Sequence, residues 1–204
     1  MNINGIRVCV LLCGVWVLVQ SPVMRAQQNS EAGKAPQAAS AERDGQHDFD
    51  PLLGSWKYHL KRRVHTLVGS NEWVEFEGSG ECHRVWDGGA QIDTIEVDGP
   101  SGHIEGLTLR VYNLQSHQWR LYWANRKVGI LDPPQVGEFK EGRGEFYAQD
   151  TYNGKTILIR FVWTNLNTSS PHFEQSFSDD GGKTWEVNWI TDQTRIGDAT
   201  KNVH

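Results

Sequence analysis

Cysteine is nearly missing from this chain: of three in 204 residues, Cys9 and Cys13 fall within the first 26, so only Cys82 lies in the remainder. A domain with one thiol closes no internal disulfide even in an oxidising compartment, and its stability has to come from packing. Long apolar runs are missing too. The stretch Val8 to Val19 has 12 residues, short of the roughly 20 that a helix needs to span a bilayer, so no stable membrane span is expected. Positive charge is in deficit, with 20 Lys and Arg against 25 Asp and Glu, which speaks against a nucleic-acid partner. The eight histidines show neither His-x-His nor His-Glu-x-x-His spacing, so no metal site is legible, and no cofactor motif is present either.

Residues 1–26 combine Arg7, the apolar stretch and a Ser21-Pro22 to Ala26 exit, the three-part pattern of a secretory signal. Its removal takes away Arg7 and Arg25 and no acid, leaving 18 basic against 25 acidic side chains, a net of −7. Residues 27–46 hold no aromatic residue and no Val, Ile or Leu. Such a segment buries too little surface to offset the entropy of ordering and reads as a flexible tether. Residues 47–196 then form one domain, residues 197–204 a C-terminal tail, and the expected location is periplasmic or secreted.

From Trp56 onward the pattern has period two, with turn residues between the runs. Leu107, Leu109 and Val111 alternate with Thr108, Arg110 and Tyr112; Trp119, Leu121 and Trp123 alternate with Arg120, Tyr122 and Ala124; Ile157 to Trp163 alternates in the same way with Leu158 to Thr164. Asp87-Gly88-Gly89, Asp98-Gly99-Pro100, Glu141-Gly142 and Asn153-Gly154 supply residues that tolerate positive φ. About ten strands result. A sheet that long must curl, split or close, and closure also removes its exposed edges. The expected fold is therefore all-β, an antiparallel up-and-down β-barrel, with a β-sandwich as the alternative.

Eight tryptophans remain beyond residue 26, and Trp119, Trp123, Trp163, Trp185 and Trp189 fall on the apolar side of their runs. They either fill the barrel or line a pocket for an apolar, aromatic or sugar-like molecule. Arg110, Tyr122, Arg160, Glu174 and Asn188 share the opposite, mixed side, whose default is solvated exterior because charged groups are seldom buried unpaired. Leu131-Asp132-Pro133-Pro134 must leave the sheet, since proline cannot donate a ladder bond; it serves either as a lid with Asp132 reaching a ligand or as a rigid crossover. The candidate ligand-binding set is Trp123, Trp163, Arg110, Tyr122, Arg160 and Asp132. Three functions are compatible with these residues: a small-molecule binder, an enzyme with Asp93, Glu105 or Asp132 as general base, or a module packed solid.

Ser178 to Trp185 matches Ser-x-Asp-x-Gly-x-Thr-Trp, the Asp-box hairpin common in sialidase propellers. A propeller would repeat it in several blades. With one copy it is a turn device.

Phe49-Asp50-x-Leu52-Leu53-Gly54-x-Trp56, Gly106 to Arg110, Tyr122-Trp123-Ala124, Leu131 to Pro134, Gly144-Glu145-Phe146 and Gly182 to Trp189 together resemble a bacterial family of uncharacterised lipocalin-like proteins. The resemblance covers nearly all of residues 49–195 and implies a calycin-like barrel, with Arg195 brought over Trp56 at the closing strand. A weaker likeness is to nitrobindin, a haem-binding ten-stranded barrel that also opens on Gly-x-Trp. Its late histidine ligand has no counterpart in the segment from Thr184 to Arg195, and His172 is the distant candidate.

Overall fold

The computed structural model describes residues 44–198. The segment expected to be a signal, most of the expected tether and residues 199–204 of the expected tail lie outside the described residues. A 3-10 turn, Asp50–Leu52, leads into ten strands, with a second such turn, Trp86–Gly88, between the second and third: β1 Gly54–Arg63, β2 Trp73–Val85, β3 Ala90–Gly99, β4 Gly102–Asn113, β5 Gln118–Asn125, β6 Gln135–Lys140, β7 Arg143–Tyr152, β8 Lys155–Thr164, β9 His172–Ser178 and β10 Glu186–Gly197. Each strand pairs antiparallel with its sequence neighbours, and β1 pairs with β10, so the sheet closes into an up-and-down barrel without a free edge. The sandwich alternative is thereby set aside.

The tight turns follow from their residues. Asn153-Gly154 (φ 50° and 77°) and Glu141-Gly142 (φ 51° and 81°) both hold positive φ at two consecutive positions, the backbone of a type I′ hairpin whose twist matches the strands it joins. The β9–β10 hairpin carries the Asp-box. Asp180 accepts hydrogen bonds from the backbone N–H of Lys183 and Thr184 and from the hydroxyls of Ser178 and Thr184, and Trp185 Nε1 donates to the Gly182 carbonyl. Those donors hold the Asp180 carboxyl well below the ordinary carboxylate range, the Thr184 N–H first among them. A depressed carboxyl stabilises the fold fully above its unfolded value near 4 and stops doing so as pH falls through the folded value. Asp180→Asn is therefore expected to flatten the acid limb of the stability curve below about pH 4, which urea melts at stepped pH would show.

Because alternate residues point inward, the barrel interior is built in layers. Its lower end is filled by Phe49, Leu52, Trp56, Trp119 and Phe146, each no more than 1% exposed. Phe49 meets Trp119, Phe139 and Trp163 edge-on at 5.2, 4.9 and 6.0 Å, an arrangement aromatic quadrupoles favour. Trp56 Nε1 donates to the Leu52 carbonyl at 2.6 Å. The Arg195 guanidinium stacks 4.1 Å from the Trp56 ring and donates to the Leu53 and Pro51 carbonyls, tying the last strand to the entry turn. Asp44 and Gly45 are anchored as well, through Tyr112 and the Trp119 indole.

Strand β4 runs against the expectation drawn from its pattern. Its mixed face, Thr108, Arg110 and Tyr112, turns inward, and Leu107, Leu109 and Val111 form part of the outer wall. The outward apolar side chains shelter one another across the sheet: Ile92 pairs with Leu109, and Leu109 with Tyr122, the kind of cross-strand contact that stabilises a sheet face without burying it fully.

Candidate functional site

Above the plug the barrel holds a cavity of about 280 Å³. Ile95, Leu121, Trp123, Ile159, Phe161, Trp163, Phe173, Phe177 and Trp189 make its walls, and Tyr58 and Asp93 lie at its floor. Asp132 from the β5–β6 connection and Asp150 near the end of β7 stand at its mouth. Of the five tryptophans grouped by the sequence pattern, Trp123, Trp163 and Trp189 line the cavity, Trp119 packs below it, and Trp185 lies on the outside of the wall beneath the Asp-box turn. Filling and lining are thus divided by height along the barrel.

The floor is an ion pair under tension from burial. Arg110, fully buried, donates to Asp93 Oδ2 at 2.6 Å, and the Tyr58 hydroxyl donates to Asp93 Oδ1 at 3.1 Å. The guanidinium also lies 4.9 Å from the Phe49 ring and 5.4 Å from Trp163, so the lower aromatic layer contributes cation–π attraction. Burial works against the Arg110 charge, but Asp93 outweighs it and the net shift is upward. Burial, then the Asp93 carboxylate, push the Tyr58 hydroxyl well above its ordinary value, so it stays a neutral donor. Cys82 sits beside this group, pushed up to about 12 by burial, which makes it an inert packing thiol. His83 points away from it toward Glu81 on the outer wall.

Arg110 lies neither on the solvated exterior, the default for its side of the strand, nor among the cavity-lining residues, where the candidate set has it. Instead it is the cation beneath the cavity, because Asp93 and two aromatic rings replace the water it loses. Asn188 likewise is only 3% exposed, at the bulge in β10 where its Oδ1 accepts from Gln175 Nε2 at 2.8 Å. Trp123, Trp163 and Asp132 of the candidate set do face the cavity. Tyr122 and Arg160 do not. Tyr122 belongs to the outer row with Leu109, and Arg160 stacks outside on Trp185 at 4.6 Å, opposite Tyr147. Both follow from parity, since each alternates with an inward neighbour. Of the three candidate bases, Glu105 is on the outer wall, held by both carboxylate oxygens to Arg126 at 2.8 and 2.6 Å. His172 is outside too, between Asp192 and Glu174, which takes it out of reach of any group inside the barrel. The segment after Leu131 folds back, with Asp132 N–H donating to the Trp123 carbonyl at 2.8 Å. That bond makes it a fixed rim.

Sequence reasoning missed Gln135, Asp150, Phe173 and Phe177 as lining residues, together with Tyr58 as the partner of Asp93. Tyr58 was readable from parity with Trp56. Gln135 and Asp150 were not, because their facing depends on how β6 and β7 enter the wall after the proline segment. Two lining side chains keep an unpartnered polar atom: Gln135 Oε1 and Trp163 Nε1, in residues 3% and 6% exposed. Gln135 Nε2 donates to the Pro133 carbonyl, which identifies the free atom as the acceptor.

Gly106 shapes one wall. A Cβ built there would lie 1.9 Å from the Trp123 ring, so the indole occupies a position that only glycine leaves open. Gly106→Ala is expected to swing Trp123 off this seat, changing the intrinsic fluorescence and weakening any ligand held by the ring; unchanged emission would contradict the seating.

No family profile and no curated protein matches the sequence. Among solved structures, Rv2717c from M. tuberculosis superposes with a TM-score of 0.51 and 11% identity over 74% of this chain and 97% of that one. The S-type phycobiliprotein lyase CPES from Guillardia theta gives 0.49 and 12% over 72% and 90%. At such identities the likeness to Rv2717c is one of fold: this chain is a calycin-like β-barrel.

Proposed function

We propose that the protein is an exported carrier or sensor of a small molecule, bound in the barrel cavity against Trp123, Trp163 and Trp189. The observation that carries the reading is a cavity of about 280 Å³, near the small end of the range for ligand sites, with aromatic walls and two buried polar atoms still unpaired. Unpaired buried polar atoms cost roughly 1–3 kcal/mol each, and a ligand that supplies their partners recovers that loss. A barrel packed solid would have neither feature. Export rests on the pattern of residues 1–26, and would be tested by fractionating cells that express the full chain.

The environment-sensitive neutral dye N-phenyl-1-naphthylamine tests the cavity. Its emission should rise on mixing, saturate at one dye per chain, and fail to rise with Thr108→Phe, which places a ring in the lumen from β4. Thr108→Phe must melt with the parent's cooperativity for the comparison to hold. Saturable enhancement that Thr108→Phe leaves intact would place the dye elsewhere and defeat the proposal.

A further inference from the structure

Resting on that reading, we infer that the cavity selects an organic cation, a protonated amine on a small apolar or aromatic body, with the ammonium held at the mouth by Asp132, Asp150 and Gln135.

Three acceptor-bearing side chains from the β5–β6 connection, β6 and β7 line the cavity toward its mouth. Asp132 and Asp150 both line the cavity, and among the described residues neither has a salt-bridge partner; the Asp150 carboxylate accepts from the Thr151 N–H, and Asp132 shows no side-chain hydrogen bond. Gln135, at the start of β6 and 97% shielded from solvent, lines the same cavity with Oε1 unpartnered while its amide nitrogen is already committed to Pro133. A neutral apolar ligand would leave this acceptor unpaired and the two lining carboxylates without a counter-charge. An anion would add a third like charge. A group carrying both N–H donors and positive charge satisfies all three.

The walls agree with that choice. Trp123 and Trp189 meet edge-to-face at 6.2 Å, and the π faces of cavity-lining aromatics attract a cation that has shed part of its water. Among the described residues no lysine or arginine lines the cavity; Arg110, beneath it, is paired with Asp93. The mutual influence of the rim carboxylates is already visible: partial burial and then Asp150 raise the Asp132 carboxyl above its ordinary value, a penalty that a bound ammonium would remove. At the far end Trp163, in contact with Phe49 and Phe173 near the floor, offers a buried unpartnered donor, Nε1. The polarity therefore runs from an acceptor-lined mouth to a donor at depth. An amine that enters aromatic end first follows it, and the unpaired Gln135 acceptor favours an ammonium that still carries N–H over a quaternary one.

Three probes of nearly equal shape separate the possibilities by calorimetry and tryptophan fluorescence on the full chain lacking residues 1–26: 2-phenylethylamine, 2-phenylethanol and 3-phenylpropanoate. The expected order is amine, alcohol, carboxylate, with the amine about tenfold tighter than the alcohol, the scale of one cation–π and carboxylate contact partly shielded from water. In Asp132→Asn/Asp150→Asn the ratio of amine to alcohol affinity should fall to near one. That variant should melt at or above the parent temperature, because the like-charge repulsion is gone, so a lost preference will not be confused with lost folding. Alcohol or carboxylate binding as tightly as the amine, or a double variant that keeps the tenfold ratio, would overturn the inference and leave the cavity reading intact. No response to any of the three at millimolar concentration, with no dye enhancement, would overturn both.

Discussion

Trp56→Ala is expected to destabilise the barrel by about 3–5 kcal/mol, the range for truncating a fully buried large aromatic. The ring is 0% exposed, donates to Leu52, and carries the Arg195 guanidinium on its face. Its loss removes three things together: the volume that closes the lower end, a hydrogen bond to the entry turn, and the surface that positions the last strand against the first, where Trp56 and Arg195 are register partners. Arg195→Lys should cost far less, because an ammonium keeps the charge over the ring but cannot reach both the Leu53 and the Pro51 carbonyls with a planar fork. Chemical denaturation of both variants measures the difference. A Trp56→Ala midpoint within error of the parent would show that the ring is not holding the barrel shut.

The second large effect belongs to the cavity floor. Arg110→Met removes the cation from Asp93 and leaves a carboxylate only 8% exposed with a single remaining donor, Tyr58. Breaking a buried pair by deleting one partner costs about 3–5 kcal/mol, mostly because the surviving charge is stranded, whereas replacing both partners by apolar groups is often close to neutral. The loss for Arg110→Met should therefore shrink markedly in Arg110→Met/Asp93→Leu, and a double-mutant cycle reads the coupling directly. If the single variant melts like the parent, water reaches Asp93 freely and the floor is open. If the double variant is as unstable as the single, the guanidinium acts through its stacking on Phe49 and Trp163 instead of through Asp93.

Most of the barrel could be read from the chain because period two survives wherever one face is uniformly apolar. β5 and β8 turned inward as their patterns said, with Trp119, Leu121 and Trp123 on one strand and Ile157 to Trp163 on the other. β4 defeated the same rule. Its outward face holds two leucines and a valine, its inward face an arginine, and only the pairing of Arg110 with Asp93 across β3 makes that choice favourable. A charge pair formed across strands 17 residues apart leaves no local signature, so period alone sends such an arginine to the surface. The candidate site divides along the same line. Trp123, Trp163 and Asp132 were legible as residues near a pocket, and Tyr122 and Arg160 were misplaced by grouping them with Arg110. The mouth was the least legible part, since Gln135 and Asp150 acquire their meaning from the unpaired atoms they turn toward a shared space.

The central claim, that a small aromatic ligand enters this barrel from above the Arg110 layer, is tested most directly by the indole N–H resonances of the ¹⁵N-labelled protein during titration with 2-phenylethylamine. Trp123, Trp163 and Trp189 should shift in step along one binding curve, while Trp56, sealed in the lower plug, and Trp86, 73% exposed on the outside, stay in place. Shifts confined to Trp86 or the other outer indoles, with the three wall tryptophans silent at saturation, would contradict it.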